Sequence, residues 1–505
     1  MKAARQDTRL DPFVEHYAAR TQGLRVSAVR ALFAVANRPE IVSLAGGMPN
    51  IKDLPLGEIS DHIARMIREH GTQVMQYGSG QGEPRIREQI CEVMAEEGSV
   101  ADPDDIVITA GSQQGLDLVT RIFCDPGDVI LAESPSYVGA LGTFQSYQTE
   151  VVHIACDSEG LIPEALTETT ERLKQQGRRV KFLYTIPNFN NPSGVTQPVE
   201  RRRRVIESCA EAGVLVVEDN PYGLLTLDSG PLPAMRSLET NVVYLGSFSK
   251  TFAPGFRVGW VCAPHGVRER LVLAQESATL CPPVFSQFAI SNYLENCDWR
   301  GQIGVFRDMY RARRDAMLAT LEREMPDGCS WTRPAGGFFV WVTLPEGLRG
   351  LGRSVFRGCP LAFVTVPASL ESTGGWFRGD GPFAGSGLSS ARLAGGSVRV
   401  ATGLFGGCGR LASVEVPGTV TSVGDRAFQG CTSLPAALEV PASVTSIADT
   451  AFEGCDALTI SCPRGSFAYS WAMEHGMGVA ASDGTHALLD PAACSYSARR
   501  LDDGL

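Results

Sequence analysis

The residues best suited to chemistry lie in one short stretch, Ser247-Phe248-Ser249-Lys250, followed seven positions after the lysine by Arg257. Two serine hydroxyls and a guanidinium fork grip the oxygens of a dianion well. A lysine beside them is placed to form a Schiff base with an aldehyde cofactor. The alternative is a solvated lysine on a surface loop, and composition argues against it. Lysine occurs only at positions 2, 52, 174, 181 and 250, and arginine supplies the remaining 40 of the 45 basic residues. A chain that uses arginine almost everywhere has kept a lysine here.

Further polar groups sit at the ends of apolar runs. Val242–Leu245 and Val258–Cys262 flank the lysine and read as strand, tight loop, strand. Asp105–Thr109 reads as a buried strand, broken at Ala110-Gly111-Ser112-Gln113 before Leu116–Phe123 resumes as a helix. Strand, glycine turn and helix start together make an anion site, because backbone N–H groups converge at a helix N-terminus. Val129–Leu131 leads to Tyr137, Lys181–Ile186 to Asn191-Pro192-Ser193-Gly194, and Val214–Val217 to Asp219 and Tyr222. Strands alternating with helical segments such as Ile86–Met94 predict a mostly parallel sheet. Ligands of such sheets bind outside the carboxyl ends of the strands. Five loops then deliver Ser112, Tyr137, Asn191, Asp219 with Tyr222, and Lys250 to one edge. The glycine-rich stretch Gln76–Gly82 is not a P-loop, since no Gly-Lys-Ser/Thr follows.

The combination of Asn191-Pro192-Ser193-Gly194, Asp219-x-x-Tyr222 and Ser247-Phe248-Ser249-Lys250 with Arg257 resembles the class I/II aminotransferases, over residues ~10 to 349. These are pyridoxal 5'-phosphate (PLP) enzymes of fold type I. The aminoadipate, kynurenine and aromatic aminotransferases are the most similar group. The resemblance implies an α/β fold, a mostly parallel central sheet with helices on both faces. It implies that Lys250 forms the internal aldimine and that Asp219 pairs with the pyridinium nitrogen. Asn191 and Tyr222 would bond the ring hydroxyl oxygen, and Tyr137 would stack on the ring. Ser112, Gln113, Ser247, Ser249 and Arg257 would hold the phosphate. Tyr77 would reach the phosphate of a neighbouring subunit, so a homodimer is implied. Arg25, Gly47 and Asn191 match substrate-contacting positions. A carboxylate keeps the ring nitrogen protonated, and the freed lysine moves the proton. The activity implied is ping-pong transfer of an amino group between an L-amino acid and a 2-oxo acid.

The resemblance fails after Pro345. The family's carboxylate-gripping arginine has no clean match, and Arg392 is only a distant echo of it. Repeats appear instead: Phe356-Arg-Gly-Cys359, Phe377-Arg-Gly-Asp380, Phe405-Gly-Gly-Cys408, Phe428-Gln-Gly-Cys431 and Phe452-Glu-Gly-Cys455. The phenylalanines are 21, 28, 23 and 24 positions apart, which reads as a leucine-rich-repeat solenoid. It resembles the BspA type, with the cysteines as a buried ladder. The domains expected are an arm and part of a small domain at 1–50, a cofactor-binding domain at 51–295 and a truncated small domain at 296–349. Repeats at 350–480 and a tail at 481–505 follow. A weakly active PLP-binding protein serving mainly as an interaction module is the alternative function. A helix-turn-helix regulator is disfavoured, because the enzyme module begins within about ten residues of Met1.

Composition bounds the rest. At 505 residues the chain exceeds one core, and 44% hydrophobic with 20% charged content suits a soluble globular protein. A net charge of −11 disfavours a nucleic-acid partner. No apolar run approaches a membrane span, and residues 1–20 lack a secretory apolar core. Fourteen cysteines without a CxxC pair predict reduced thiols in the cytoplasm, and the seven histidines show no metal-ligand spacing. A protein partner for the repeats is expected.

Overall fold

The computed structural model describes residues 16–18, 20–21, 47–325, 327–343, 349–352, 356, 363–370, 372–373, 381–434 and 438–482. These divide into two compact units. The first holds Gly47–Asp327 and Trp331–Trp341, and the second Gly328–Ser330 and the described residues from Val342 onward. Arg25 and the helix expected near it lie outside the described residues.

The first unit opens with α1 (Leu56–Val74) and α2 (Pro84–Ala95). Then come β1 (Ile106–Thr109), α3 (Ser112–Phe123), β2 (Val129–Glu133), α4 (Val138–Ser146) and β3 (Glu150–Ile154). Next are α5 (Pro163–Gln175), β4 (Val180–Thr185), α6 (Val199–Ala212), β5 (Leu215–Asp219), β6 (Val243–Ser247) and β7 (Gly259–Cys262). The helices α7 (His265–Thr279), α8 (Val284–Asn296) and α9 (Trp299–Glu324) follow. The strands form a seven-stranded sheet in the order β1-β7-β6-β5-β4-β2-β3. Neighbours from β3 to β6 run parallel, and β7 runs against both β6 and β1. The expected strand–loop–strand around Lys250 is thus observed as β6, a turn and β7.

Burial on both faces explains why these strands read as unbroken apolar runs. Ile130, Phe182, Tyr184 and Val217 pack with Leu116 and Phe144 of α3 and α4. Their strand neighbours Val129, Leu131, Leu183 and Val216 pack with Leu166, Leu173 and Val205 of α5 and α6. Each such aliphatic side chain contributes about 1.5–3 kcal/mol when buried. A third cluster joins Ile108 and Trp260 to Ile90 of α2, Ile290 of α8 and Ile303 of α9.

In the second unit, short strands pair in parallel with their copies in the next repeat. Phe363–Val366, Ser390–Leu393 and Ser413–Glu415 form one ladder. Arg399–Val400, Ser422–Val423 and Ser446–Ile447 form another. Leu438–Glu439, Thr459–Cys462 and Gly478–Ala481 form a third. Phe356, Phe383, Phe405, Phe428 and Phe452 stack in sequence, with ring centroids 4.9–6.1 Å apart. The place between Phe356 and Phe405 belongs to Phe383; Phe377, the member expected from its Phe-Arg-Gly pattern, lies outside the described residues. Cys408, Cys431 and Cys455 are buried, and the Cys431 and Cys455 thiols donate to the carbonyls of Phe405 and Phe428. Arg392 also belongs here, with Nε 2.7 Å from Glu415 of the next rung, so the distant echo of a carboxylate-gripping arginine is a repeat residue paired within the ladder.

No helix among the described residues is long and apolar enough to cross a membrane.

Candidate active site

The carboxyl ends of β1, β2, β4, β5 and β6 face one edge, and the groups expected there follow from them. Ser247 ends β6, and its hydroxyl donates to Ser249 Oγ at 2.8 Å while accepting the Ser249 N–H at 3.1 Å. Arg257 Nη1 reaches Ser249 Oγ at 3.4 Å and Nη2 donates to the Ala110 carbonyl at 2.9 Å. The guanidinium therefore bridges the β6–β7 turn to the start of α3. Two glycines allow this. A Cβ on Gly111, whose φ is +79°, would lie 2.3 Å from Arg257 Nη2. A Cβ on Gly259 would lie 2.6 Å from the Gly111 carbonyl carbon and the Ser112 nitrogen. Ser112 opens α3, so the first N–H groups of that helix stand beside two hydroxyls and a guanidinium. This is a site for a phosphate.

Gln113 is also in the first turn of α3, but its side chain is committed elsewhere. Its Nε2 donates to Thr143 Oγ1 at 2.7 Å and the Gly139 carbonyl at 3.2 Å, and its Oε1 accepts from the Tyr137 hydroxyl at 3.3 Å. Gln113 thus orients Tyr137, leaving its backbone N–H as the part suited to an anion. Tyr137 feels the charges of Asp219 and Arg257, and burial first, then Asp219, push its phenol up.

Asp219 ends β5 and is 5% exposed. Its Oδ2 accepts the Tyr184 hydroxyl at 2.7 Å, while Oδ1 is buried without a partner. Burial raises the carboxyl to about 6, and the Tyr184 hydrogen bond opposes that rise. A buried carboxylate oxygen left unpaired is costly unless a cationic N–H meets it. A protonated ring nitrogen fits this oxygen. Tyr222 is hydrogen-bonded to Asn191, and burial pushes its phenol up, followed by Tyr137 and Asp219.

Lys250 follows β6 in a turn, and its Nζ donates to the Gly47 carbonyl at 2.9 Å. Burial, and secondarily the Arg257 charge, bring the amine down to about 8. Nζ lies 5.7 Å from the centre of the Phe338 ring, which stands 5.4 Å edge-on to Tyr222 and 4.6 Å from Tyr310. Phe339 is 6.0 Å from Tyr222. Phe338 thus stands between the Lys250 amine and Tyr222, and the Asp219 charge acts on the Tyr222 phenol. Tyr77 does not join it; the side chain is 77% exposed.

Sequence reasoning missed several supporting residues. Tyr184 stands opposite Val217 in the β4–β5 register, two residues before Asp219 on the same face. Strand parity could have found it. Glu133, at the end of β2, is fully buried and accepts from Asn190, Gln197, Thr185 and the Ile186 N–H at 2.6–3.0 Å. Burial raises it to about 7, against those four donors. It pins both ends of the loop that carries Asn191. Nothing local marks that role.

Comparison with known proteins agrees with this geometry. Residues 49–350 match the model of aminotransferase class I and II, and residues 338–459 match six copies of the BspA type leucine-rich repeat region. The chain is 40% identical over 340 residues to aromatic-amino-acid aminotransferase 1 of Thermococcus litoralis, covering 66% of this chain and 81% of that one. It is 36% identical over 334 residues to 2-aminoadipate transaminase of Thermus thermophilus, covering 65% and 81%. Among solved structures, the kynurenine aminotransferase of Pyrococcus horikoshii superposes with a TM-score of 0.64 at 39% identity, covering 68% of this chain and 85% of that one. These likenesses favour a working PLP-dependent transaminase, moving an amino group between an L-amino acid and a 2-oxo acid, over an interaction module with little activity. The chain belongs to the class I and II aminotransferases.

Proposed function

We propose that this aminotransferase takes amino acids with aromatic or long side chains as donors. The observation that carries the reading is the aromatic wall of Phe338, Phe339, Tyr222 and Tyr310 beside the Lys250 amine. Flat or extended side chains gain most from such a surface. The names of the similar proteins, which cite aromatic, aminoadipate and kynurenine substrates, support it.

PLP supplies an aldehyde for attachment and a ring that accepts the electron pair left at Cα. The chain's residues do the rest. Ser112, Ser247, Ser249 and Arg257, with the N–H groups opening α3, hold the phosphate. Asp219, through its free Oδ1, keeps the ring nitrogen protonated, and Asn191 with Tyr222 orients the ring hydroxyl. Tyr137 covers one face of the ring. The Lys250 amine, free once the amino-acid substrate is attached, would take the proton from Cα as base and deliver it to the cofactor's aldehyde carbon as acid. Gly47, whose carbonyl accepts from Lys250, would meet the substrate, a role the family resemblance also gives to Arg25. The working unit is a homodimer in the cytoplasm, to which Tyr77 brings a phosphate contact for the partner's site, and it serves amino-acid metabolism and biosynthesis. The repeats bind a protein partner.

A donor panel tests the substrate reading. With one 2-oxo acid as acceptor, kcat/KM should be highest for aromatic and 2-aminoadipate-like donors. Equal rates with alanine would overturn it. Mixing Tyr77→Ala with Lys250→Ala tests the dimer, because hybrids regain one intact site.

A further inference from the structure

Away from the cofactor cluster, three side chains from distant parts of the chain converge. Glu58 and His62 stand one turn apart on α1, and Cys297 caps the end of α8. One ligand atom from each lies within 4.8 Å of the other two. His62 Nε2 is 3.9 Å from Glu58 Oε1, and its Nδ1 is buried with no hydrogen-bond partner. Tyr293, one turn before Cys297, supplies an independent observation. It is 3% exposed, and its hydroxyl is likewise unpartnered.

Buried polar atoms without partners are costly, and the His62 imidazole nitrogen and the Tyr293 phenol share that condition on the two helices that carry the cluster. An ion with its bound water is one way to satisfy such atoms. The donor types select which ion. Sulfur, nitrogen and oxygen together suit zinc, whereas magnesium and calcium want oxygen alone. We propose that Glu58, His62 and Cys297 form a site for one thiophilic divalent cation of the zinc class, which ties α1 to the end of α8.

Water would complete a four-coordinate shell, with the Tyr293 hydroxyl as its hydrogen-bond partner. Without a cation the Cys297 thiol is hydrogen-bonded to Glu58. Binding then forms one metal–sulfur bond and releases one proton to solvent. The sequence showed no metal-ligand spacing, because Cys297 stands far along the chain from Glu58 and His62 and meets them only in the fold.

The test uses the full chain with its cofactor bound, stripped of metal by a chelator and titrated with cobalt(II). Its visible tetrahedral bands lie to the red of the cofactor. One equivalent should bind with a thiolate-type spectrum, and zinc should displace it. Cys297→Ser should abolish that spectrum. His62→Gln should weaken binding by more than the about 10- to 100-fold that loss of an outer partner costs. Neither should alter transamination. Wild-type protein that binds no cobalt, or binding unchanged in Cys297→Ser, overturns the proposal.

Discussion

Glu133 is held by groups 52 to 64 positions further along the chain, whereas Phe428 is held by Phe405 and Phe452, its own copies in the adjoining repeats. The two units secure their interiors by different means. In the sheet unit a polar residue depends on strands that meet only when the whole sheet forms. In the repeats each rung depends on its neighbours alone. An error in the first is felt across the sheet and at the site. An error in the second stays near its rung.

Lys250→Ala should have the largest effect. It removes both the attachment point and the proton carrier, so transamination should fall by about 10⁴-fold or more. The protein should lose the visible absorbance of covalently held cofactor while its melting temperature stays near that of the cofactor-free parent. Retained absorbance would refute the assignment of Lys250.

The contrast between the units is tested next. Glu133→Ala leaves four buried donors facing a void, and breaking such a set costs about 3–5 kcal/mol. Phe428→Ala removes a ring from the stack at a similar cost of about 3–5 kcal/mol. Equal losses should read out differently in calorimetry and in activity. The Glu133 variant should lower the transition of the sheet unit and lose cofactor affinity. The Phe428 variant should lower only the repeat transition and leave kcat/KM within twofold. A Phe428 variant that lost activity in step with stability would show that the rungs support the site.

Much of this site was legible because it is built at strand ends. Apolar runs ending in Ser112, Tyr137, Asn191, Asp219 and Lys250 could be read one at a time, and parallel order gathers them at one edge. The repeat was legible from its period. What escaped was contact between elements. Tyr184 reads as an ordinary strand aromatic until the register sets it beside Asp219. Gln113 reads as an anion ligand, but α4 takes its side-chain amide and leaves only its backbone N–H for that role. Phe383 stands in the stack without carrying the Phe-x-Gly-Cys signature, so the pattern alone did not mark it.

Tyr184→Phe sharpens the comparison inside the sheet unit, where one hydrogen bond should matter at the site without threatening the fold. A hydrogen bond to a charged group contributes about 1.5–3 kcal/mol, so cofactor affinity should fall about tenfold or more. The Asp219 carboxyl should titrate higher still, since burial alone then acts on it. Unchanged affinity and an unchanged pH profile would reduce Tyr184 to a packing residue.

The smallest effect expected is a displacement of one midpoint. Only the neutral Lys250 amine attacks an aldehyde, and its ordinary value of 10.5 is lowered to about 8. Cofactor capture by the cofactor-free protein should therefore rise with pH and level off above about 8. Burial is the larger cause and survives any change at position 257; the Arg257 charge is the smaller. Arg257→Gln removes that charge, so the ammonium becomes less costly and the midpoint moves up, part of the way back toward 10.5. Arg257→Lys keeps the charge but loses the fork, so phosphate affinity should weaken while the midpoint holds. If the midpoint tracks phosphate affinity in both variants instead of charge, the arginine acts on the lysine only through the bound cofactor, and the electrostatic coupling between the two sides of the cradle is wrong.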